Sequence, residues 1–242
     1  MTILAKPVPI LSDNYAWLLQ ETSSGAVAVV DPADARAIID AVEGEGGRLD
    51  LILLTHHHDD HIAGTDEVRA RFGCKVVGAA ADAYRLPRLD QAVREGDTVA
   101  VGNALGRVID TPGHTRGHIS YYFADGGVLI CADTLFSLGC GRLLEGTAEE
   151  MFASLQKFSL LPGETLVCCG HEYTESNARF ALSVDPGNTA LQARAAEVKR
   201  LRAEGKPTVP STIADELAAN PFMRATSAEM LGRLRAQKDT FR

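Results

Sequence analysis

The stretch Leu51-Ile-Leu-Leu-Thr-His-His-His-Asp-Asp-His61 joins a short apolar run to a dense cluster of histidines and aspartates. The apolar run has the length of a buried strand, and residues 62–72 have the spacing of polar and apolar side chains that is typical of a helix. The cluster is therefore predicted to lie on a turn between a strand and a helix. Neutral imidazoles and carboxylates are ligands of zinc, iron and manganese, so the cluster indicates a metal site rather than a run of surface histidines.

The spacing within this cluster favours two metal ions over one. Side chains alternate along an extended segment, so His56 and His58 are expected to point the same way and His57 the other way, as a spacer. Asp60 and His61 enter the helix, where successive side chains diverge by about 100°. The donors are thus divided into two groups, which suits two adjacent ions.

Three further candidate ligands each follow an apolar run that is predicted to be a strand: His114, Asp133 and His171. Loops at the ends of strands can converge while the sheet holds them rigid. Two cations about 3.5 Å apart repel each other, so they need a shared anionic ligand, and Asp133 is the natural bridge. His118 and Asp31, near other strand ends, are expected to pack or to orient a ligand through a hydrogen bond.

The composition is that of a soluble globular protein. Of the 242 residues, 45% are hydrophobic and 23% are charged, which makes disorder improbable. The net charge of −8 argues against nucleic acid as a partner. No segment approaches the roughly 18 apolar residues of a membrane span, and no leader is evident. We therefore expect a cytoplasmic monomer without a membrane partner, whose five cysteines are reduced.

The pattern of secondary structure changes along the chain. Strands alternate with turns and helices through the first two thirds, including one helix over residues 62–72 and a last strand at residues 166–169. From Thr174 onward no strand is predicted, and the chain has the pattern of helices. We therefore expect a catalytic domain over residues 1–171 and a helical substrate-binding domain over residues 172–242.

Four motifs, in their order along the chain, resemble those of the metallo-β-lactamase superfamily: Thr55-His-His-His-Asp-Asp-His61, Pro112-Gly-His-Thr-Arg-Gly-His118, Ala132-Asp-Thr-Leu-Phe136 and Gly170-His-Glu-Tyr173. Further segments are similar to the glyoxalase II (hydroxyacylglutathione hydrolase) family in particular: Gly139-Cys-Gly-Arg142, Glu145-Gly-Thr147, Asn220-Pro-Phe-Met-Arg224 and Arg235-Ala-Gln-Lys238-Asp239. The resemblance covers nearly the whole chain. It implies an α+β fold, an αββα sandwich of two sheets with a smaller C-terminal helical domain.

The resemblance also implies a site. Two divalent ions are expected, with zinc first and iron or manganese as alternatives. One ion would be held by His56, His58 and His114, and the other by Asp60, His61 and His171, with Asp133 and a hydroxide as bridges. Asp60 and Asp133 would thus serve in catalysis. Glutathione would be contacted by Arg142, Tyr173, Arg235 and Lys238. Relatives often have lysine at position 142 and tyrosine at position 144, where this chain has arginine and leucine.

The implied reaction is the hydrolysis of S-D-lactoylglutathione to D-lactate and glutathione, a step of methylglyoxal detoxification. A thiol has a pKa of about 8.5, so thiolate leaves without a dedicated general acid. A persulfide dioxygenase, which uses one iron, and a lactonase or β-lactam hydrolase are the alternatives. The basic pair Arg235 and Lys238 disfavours them, because it suits the carboxylates of glutathione. A non-catalytic metal-binding protein is a different class, but here every ligand position is filled.

Overall fold

The computed structural model describes residues 2–241 and shows two compact units. The first unit comprises the chain up to Asp110 together with Gly117–Cys131, and the second comprises Thr111–Arg116 together with the chain from Ala132 onward. Each unit therefore contains a segment that is distant from the rest of it in sequence. The domain boundary placed between residues 171 and 172 stays a prediction.

The first sheet lies in the first unit and contains six strands in chain order: β1 (Ile3–Ile10), β2 (Asn14–Glu21), β3 (Val27–Val30), β4 (Leu51–Leu53), β5 (Lys75–Ala79) and β6 (Gln91–Val93). The pairs from β1 to β3 are antiparallel and those from β3 to β6 are parallel. The sequence pattern does not predict β1, which contains Pro7 and Pro9. An edge strand tolerates proline, because its outward N–H groups need no partner strand.

Three helices belong to the first unit: α1 (Ala35–Gly44), α2 (Asp59–Ile62) and α3 (Thr65–Phe72). The prediction of one helix over residues 62–72 is wrong, because the helix is interrupted at Ala63 and Gly64. A Cβ atom on Gly64 would lie only 2.4 Å from the Pro32 carbonyl oxygen and 2.6 Å from the Ala35 nitrogen. This close approach admits only glycine, the residue with the lowest helix propensity after proline.

Four antiparallel strands follow, all in the first unit except for the last residue of β10: β7 (Thr98–Val101), β8 (Ala104–Asp110), β9 (Ile119–Phe123) and β10 (Val128–Ala132). β9 and β10 form an antiparallel hairpin, and Gly127 in its turn has a φ of 59°. The buried Tyr121 hydroxyl donates to the Leu54 carbonyl oxygen at 2.8 Å. This bond anchors the end of β4, where the histidine cluster begins.

The second unit contains short strands and the longer helices: β11 (Leu135–Phe136), β12 (Gly139–Cys140), α4 (Ala148–Ser159), β13 (Leu166–Cys169), α5 (Thr174–Val184), α6 (Thr189–Ala203), β14 (Ser211–Thr212), α7 (Ile213–Ala219) and α8 (Ala228–Thr240). The expectation of no strand after Thr174 is wrong, since β14 pairs with β13 through Val167 and Ser211. Two residues are too few to give a strand pattern in the sequence.

The class of fold and the state of the cysteines agree with the sequence analysis. Helices accompany both parallel and antiparallel strand pairs, which is the α+β class. All five cysteines, which lie within residues 2–241, are buried free thiols. In the same range no helix combines the length and apolarity that crossing a membrane requires.

Candidate metal centre and substrate pocket

The first unit brings four predicted ligands together where β4 leads into α2. His56 and His61 are almost completely buried, and their ring centroids are 4.2 Å apart. His56 Nε2 lies 3.1 Å from His58 Nδ1. Side chains that the alternation places on one side therefore converge in the folded chain. Two positively charged imidazoles this close together would repel each other. The rings are therefore suited to be neutral and to donate nitrogen lone pairs to a cation.

His57 points away from this group, as the alternation predicts. Its Nδ1 atom lies 3.3 Å from Asp82 Oδ2. Asp82 is buried and accepts from the Arg85 guanidinium, with Nε at 3.1 Å and Nη2 at 2.9 Å. The Nδ1 atom of His57 thus faces a separate network of charged side chains, although the centroid of its ring lies 4.8 Å from that of His58.

Asp60 is oriented by a residue that sequence analysis did not identify. Asn14, at the start of β2, donates from Nδ2 to both the carbonyl oxygen and Oδ2 of Asp60, each at 3.0 Å. The amide fixes the backbone and the carboxylate of the same residue. Since the two residues are 46 positions apart, no local pattern in the sequence indicates this contact.

His118 and Asp31 both contact predicted ligands. The His118 ring stacks on that of His56, with centroids 4.8 Å apart and planes inclined by 25°. Asp31 Oδ2 lies 3.0 Å from His61 Nδ1. Both residues are thus placed to orient a ligand, as the sequence analysis expects.

The second unit brings the other three predicted ligands together around Asp133. Its Oδ2 atom lies 3.5 Å from His114 Nε2 and 3.3 Å from His171 Nε2, and all three residues are buried. His114 Nδ1 lies 2.9 Å from the Arg142 carbonyl oxygen, which can only accept, so the ring carries its proton on Nδ1. The lone pair of His114 therefore lies on Nε2, next to the carboxylate.

Gly141 permits the close packing around Asp133. A Cβ atom at this position would lie 1.9 Å from the Asp133 carbonyl oxygen and 3.1 Å from His114 Cβ. Any side chain would push the loop away from Asp133. The second glycine of Gly139-Cys-Gly-Arg142 is therefore required by contact with the ligand set rather than by a turn.

A cavity of about 430 Å³ in the second unit joins these ligands to the predicted substrate contacts. Its wall includes two of the ligands, His114 and Asp133. It also includes all four residues that the sequence analysis assigns to glutathione: Arg142, Tyr173, Arg235 and Lys238. Residues from both ends of the second unit's sequence therefore line one pocket.

Arg235 is held rigidly in this pocket. Only 6% of the residue is exposed, and Nη1 donates to the Cys140 carbonyl oxygen at 2.7 Å. Nε and Nη2 lie 3.1 and 3.0 Å from Asp239 Oδ1. Arg142 is more exposed, and its Nε atom lies 3.8 Å from the same Asp239 oxygen. Asp239, to which the sequence analysis gives no role, thus lies between the two arginines.

Lys238 and Tyr173 also line this pocket. Lys238 Nζ donates to Ser176 Oγ at 2.8 Å. Partial burial, together with the nearby arginines at 235, 179 and 142, lowers the pKa of this ammonium from 10.5 to about 8. The Tyr173 ring stacks on that of His171, with centroids 4.6 Å apart, so the predicted substrate contact touches a predicted metal ligand.

The donor chemistry fits divalent metal ions. Imidazole nitrogens and carboxylate oxygens are the ligands that zinc and other first-row dications accept, and most of these side chains are buried. Histidines and aspartates of this number and kind support a dinuclear divalent metal site.

The fold and these ligands define the class. Residues 11–171 match the sequence model of the metallo-β-lactamase superfamily. The crystal structure of the BLEG-1 B3 metallo-β-lactamase has the same fold, with a TM-score of 0.72 and 24% identity over 92% of this chain and 100% of that chain. The predicted metallo-β-lactamase fold is thereby confirmed.

Sequence relatives narrow the class further. Residues 172–241 match the model of the hydroxyacylglutathione hydrolase C-terminus. The hydroxyacylglutathione hydrolase of Acidiphilium cryptum is 62% identical over 97% of this chain and 95% of its own length, and that of Methylococcus capsulatus is 51% identical over 94% and 89%. The chain belongs to the hydroxyacylglutathione hydrolase family.

Proposed function

We propose that the protein hydrolyses S-D-lactoylglutathione, a 2-hydroxyacylglutathione thioester, to D-lactate and glutathione. The observation that carries this proposal is the cavity that is lined by two candidate metal ligands together with three basic residues: Arg142, Arg235 and Lys238. Glutathione presents two carboxylates, and a guanidinium can bind a carboxylate through two hydrogen bonds. Membership of the hydroxyacylglutathione hydrolase family supports the same substrate and disfavours a persulfide dioxygenase or a lactonase.

We infer that the ligand sets of the two units hold two ions. One ion would be held by His56, His58 and His114 and the other by Asp60, His61 and His171, and Asp133 would serve both. Zinc is the first choice, and iron and manganese accept the same donors. When bound, the ions polarise the thioester carbonyl and make water acidic enough to act as a nucleophile.

Three hydrogen-bonding arrangements of the protein orient the side chains that this reaction requires. The bond from His114 Nδ1 to the Arg142 carbonyl oxygen selects the ring nitrogen that faces Asp133. Asn14 holds the Asp60 carboxylate in one orientation. Arg235 is already fixed by hydrogen bonds, so binding a carboxylate costs it little conformational entropy.

We also propose that residues 1–171 form the catalytic domain and residues 172–242 the substrate-binding domain. That the protein is a cytoplasmic monomer stays a prediction.

A panel of thioesters tests the proposal. Protein of measured metal content is assayed with S-D-lactoylglutathione and with the lactoyl thioester of N-acetylcysteamine, which lacks both glutathione carboxylates. We expect a much higher kcat/KM for the glutathione thioester. An equal or higher kcat/KM for the N-acetylcysteamine thioester contradicts the proposed substrate, and oxygen uptake with glutathione persulfide would favour the dioxygenase instead.

The lowered pKa of Lys238 predicts a pH-dependent KM. Below about pH 8 the ammonium is charged and attracts a substrate carboxylate, whereas at higher pH it loses its proton and the attraction. The arginines at 235, 179 and 142 keep their charge, and Asp239 acts in the opposite sense by raising the pKa. We therefore expect KM for S-D-lactoylglutathione to rise between pH 7 and pH 9, measured with correction for spontaneous hydrolysis.

The control for this prediction is Lys238→Arg, which keeps a positive charge throughout the range. Its KM should stay nearly constant from pH 7 to pH 9. A rise in KM of the same size in both proteins would assign the pH dependence to another group.

A further inference from the structure

We propose that Asn220 and Glu216 are positioning residues for substrate binding, because they fix the hairpin of β11 and β12 that forms part of the pocket wall. The inference rests on the proposed function, in that this wall is taken to face glutathione. All the residues concerned belong to the second unit. Asn220 begins the segment Asn220–Arg224, to which the sequence analysis gives no role.

The hairpin supplies part of the pocket wall but is too short to hold itself in place. Each of its strands has two residues, and a two-stranded hairpin on its own is at best marginally stable in water. Phe136 and Cys140 of the hairpin line the cavity, as does Arg142 just beyond it. The Cys140 carbonyl oxygen also accepts from Arg235 Nη1 at 2.7 Å. A shift of the hairpin would therefore displace the wall and loosen the bond that holds Arg235.

Side chains from the helical part of the second unit bond to the backbone of every residue from 136 to 140. Asn220 Nδ2 donates to the carbonyl oxygens of Phe136 at 3.2 Å and Gly139 at 3.0 Å. Glu216 Oε2 accepts from the Leu138 nitrogen at 2.8 Å. The other two bonds run from Asn177 to the Ser137 carbonyl oxygen and from Arg235 to that of Cys140. The helices thus determine where the hairpin lies.

Asn220 is itself fixed in one orientation. Its Oδ1 atom accepts from the Phe222 nitrogen at 2.9 Å, so Nδ2 is the end that faces the hairpin. The same Nδ2 atom donates to Glu216 Oε2 at 2.9 Å, which joins the two residues. Their exposed fractions are 0% for Asn220 and 1% for Glu216. Burying an amide and a carboxylate is costly unless they are hydrogen-bonded, and here the bonds go to the hairpin and to each other.

Leu138, in the turn of the hairpin, is embedded among the same helices. Its φ of 59° is a left-handed conformation that is rare for residues other than glycine and persists only where surrounding structure holds it. Its side chain packs in an apolar cluster with residues of α5, α6 and α7: Ala178, Ala181, Leu191 and Ala219. The bond from its N–H group to Glu216 and this apolar contact together hold the turn in a conformation that its own sequence disfavours.

The experiment compares the kinetics of Asn220→Ala, Glu216→Met and Glu216→Gln with those of the unmodified protein. Alanine and methionine leave hairpin groups without their partners, so KM for S-D-lactoylglutathione should rise about tenfold or more, since a misplacement of about 1 Å can cost about 100-fold. The metal content and kcat should change far less, because the turn lies at the end of the hairpin away from Asp133. Glutamine keeps an oxygen that accepts from Leu138, so its KM should stay near that of the unmodified protein.

Hydrogen–deuterium exchange tests the hairpin without any substrate. Amides of residues 136–140 should exchange faster in Asn220→Ala and Glu216→Met than in the unmodified protein, and Glu216→Gln should restore slow exchange. Methionine fills the volume of glutamate, so Glu216→Met provides the test even where Asn220→Ala does not fold. Val198→Ala removes buried methyl groups from α6 and is the control for stability, since it should lower the melting temperature without raising KM.

Unchanged KM in the folded variants would overturn the proposal, and so would an equal rise in KM in Val198→Ala. An equal rise in Glu216→Gln and Glu216→Met would assign the effect to the charge of Glu216 and contradict the proposed hydrogen bonds. Failure of the proposed function gives a different result. In that case the unmodified protein shows no preference for S-D-lactoylglutathione in the thioester panel, while the changes in hydrogen exchange still occur.

Discussion

Replacing His58 by alanine should abolish the hydrolysis of S-D-lactoylglutathione while leaving the secondary structure almost unchanged. His58 is the N-cap residue of α2, but its side chain makes no capping hydrogen bond, so the helix does not need the imidazole. The ring supplies a donor 3.1 Å from His56 Nε2 within the proposed ligand set. Metal catalysis contributes several kcal/mol, and each 1.4 kcal/mol or so is a factor of ten, so we expect kcat to fall roughly a thousandfold or more.

The neighbouring histidine provides the matched control. His57→Ala removes an adjacent imidazole that is not a proposed ligand and whose Nδ1 atom lies 3.3 Å from Asp82 Oδ2, so its turnover should stay close to that of the unmodified protein. Metal content by mass spectrometry and far-ultraviolet circular dichroism accompany the kinetics. Retained thioesterase activity in His58→Ala, with normal folding, would refute the assignment of this residue.

Replacing Arg235 by glutamine should lower kcat/KM for S-D-lactoylglutathione by about 10- to 100-fold, mainly through KM. A hydrogen bond to a charged group contributes about 1.5–3 kcal/mol, and this guanidinium is buried and preorganised by the Cys140 carbonyl oxygen and Asp239. The substitution removes the charge that the proposed function assigns to a glutathione carboxylate. Steady-state kinetics across the thioester panel measure the effect.

Two controls separate substrate binding from stability. Arg233→Gln changes an exposed arginine on the same helix and should leave the kinetics unchanged. The lactoyl thioester of N-acetylcysteamine has no glutathione carboxylate, so Arg235→Gln should hydrolyse it at the rate of the unmodified protein. An equal loss on both thioesters would mean that Arg235 supports the fold of the pocket and does not select the substrate.

Local patterns in the sequence were sufficient to predict much of the donor set and of the fold. The alternation of an extended segment assigns His57 to a different side from His56 and His58, and in the structure His57 Nδ1 faces Asp82 whereas His56 Nε2 faces His58 Nδ1. Thr147 and Glu150, three positions apart, also form the capping box that this spacing favours. These features depend on residues that are close in sequence, whose geometry the backbone itself imposes. The helix predicted over residues 62–72 fails because a contact from another segment, at Gly64, overrides local propensity.

Other features follow only from tertiary contacts. Asn14 orients Asp60 from 46 positions away, Asp31 reaches Thr55 across 24, and Arg235 reaches the Cys140 carbonyl oxygen across 95. None of these pairs leaves a periodic signal, because each depends on how strands and helices are placed next to one another.

The sequence by itself therefore determined the kind of chemistry, since histidine and aspartate at fixed spacing after strands can serve few purposes other than metal binding. The tertiary structure decided which nitrogen of His114 carries the proton, and it placed Asp239 between the arginines of the pocket. The physical reason is that residue types and spacing fix which donors are available, whereas tautomers and orientations are set by hydrogen bonds between distant parts of the chain.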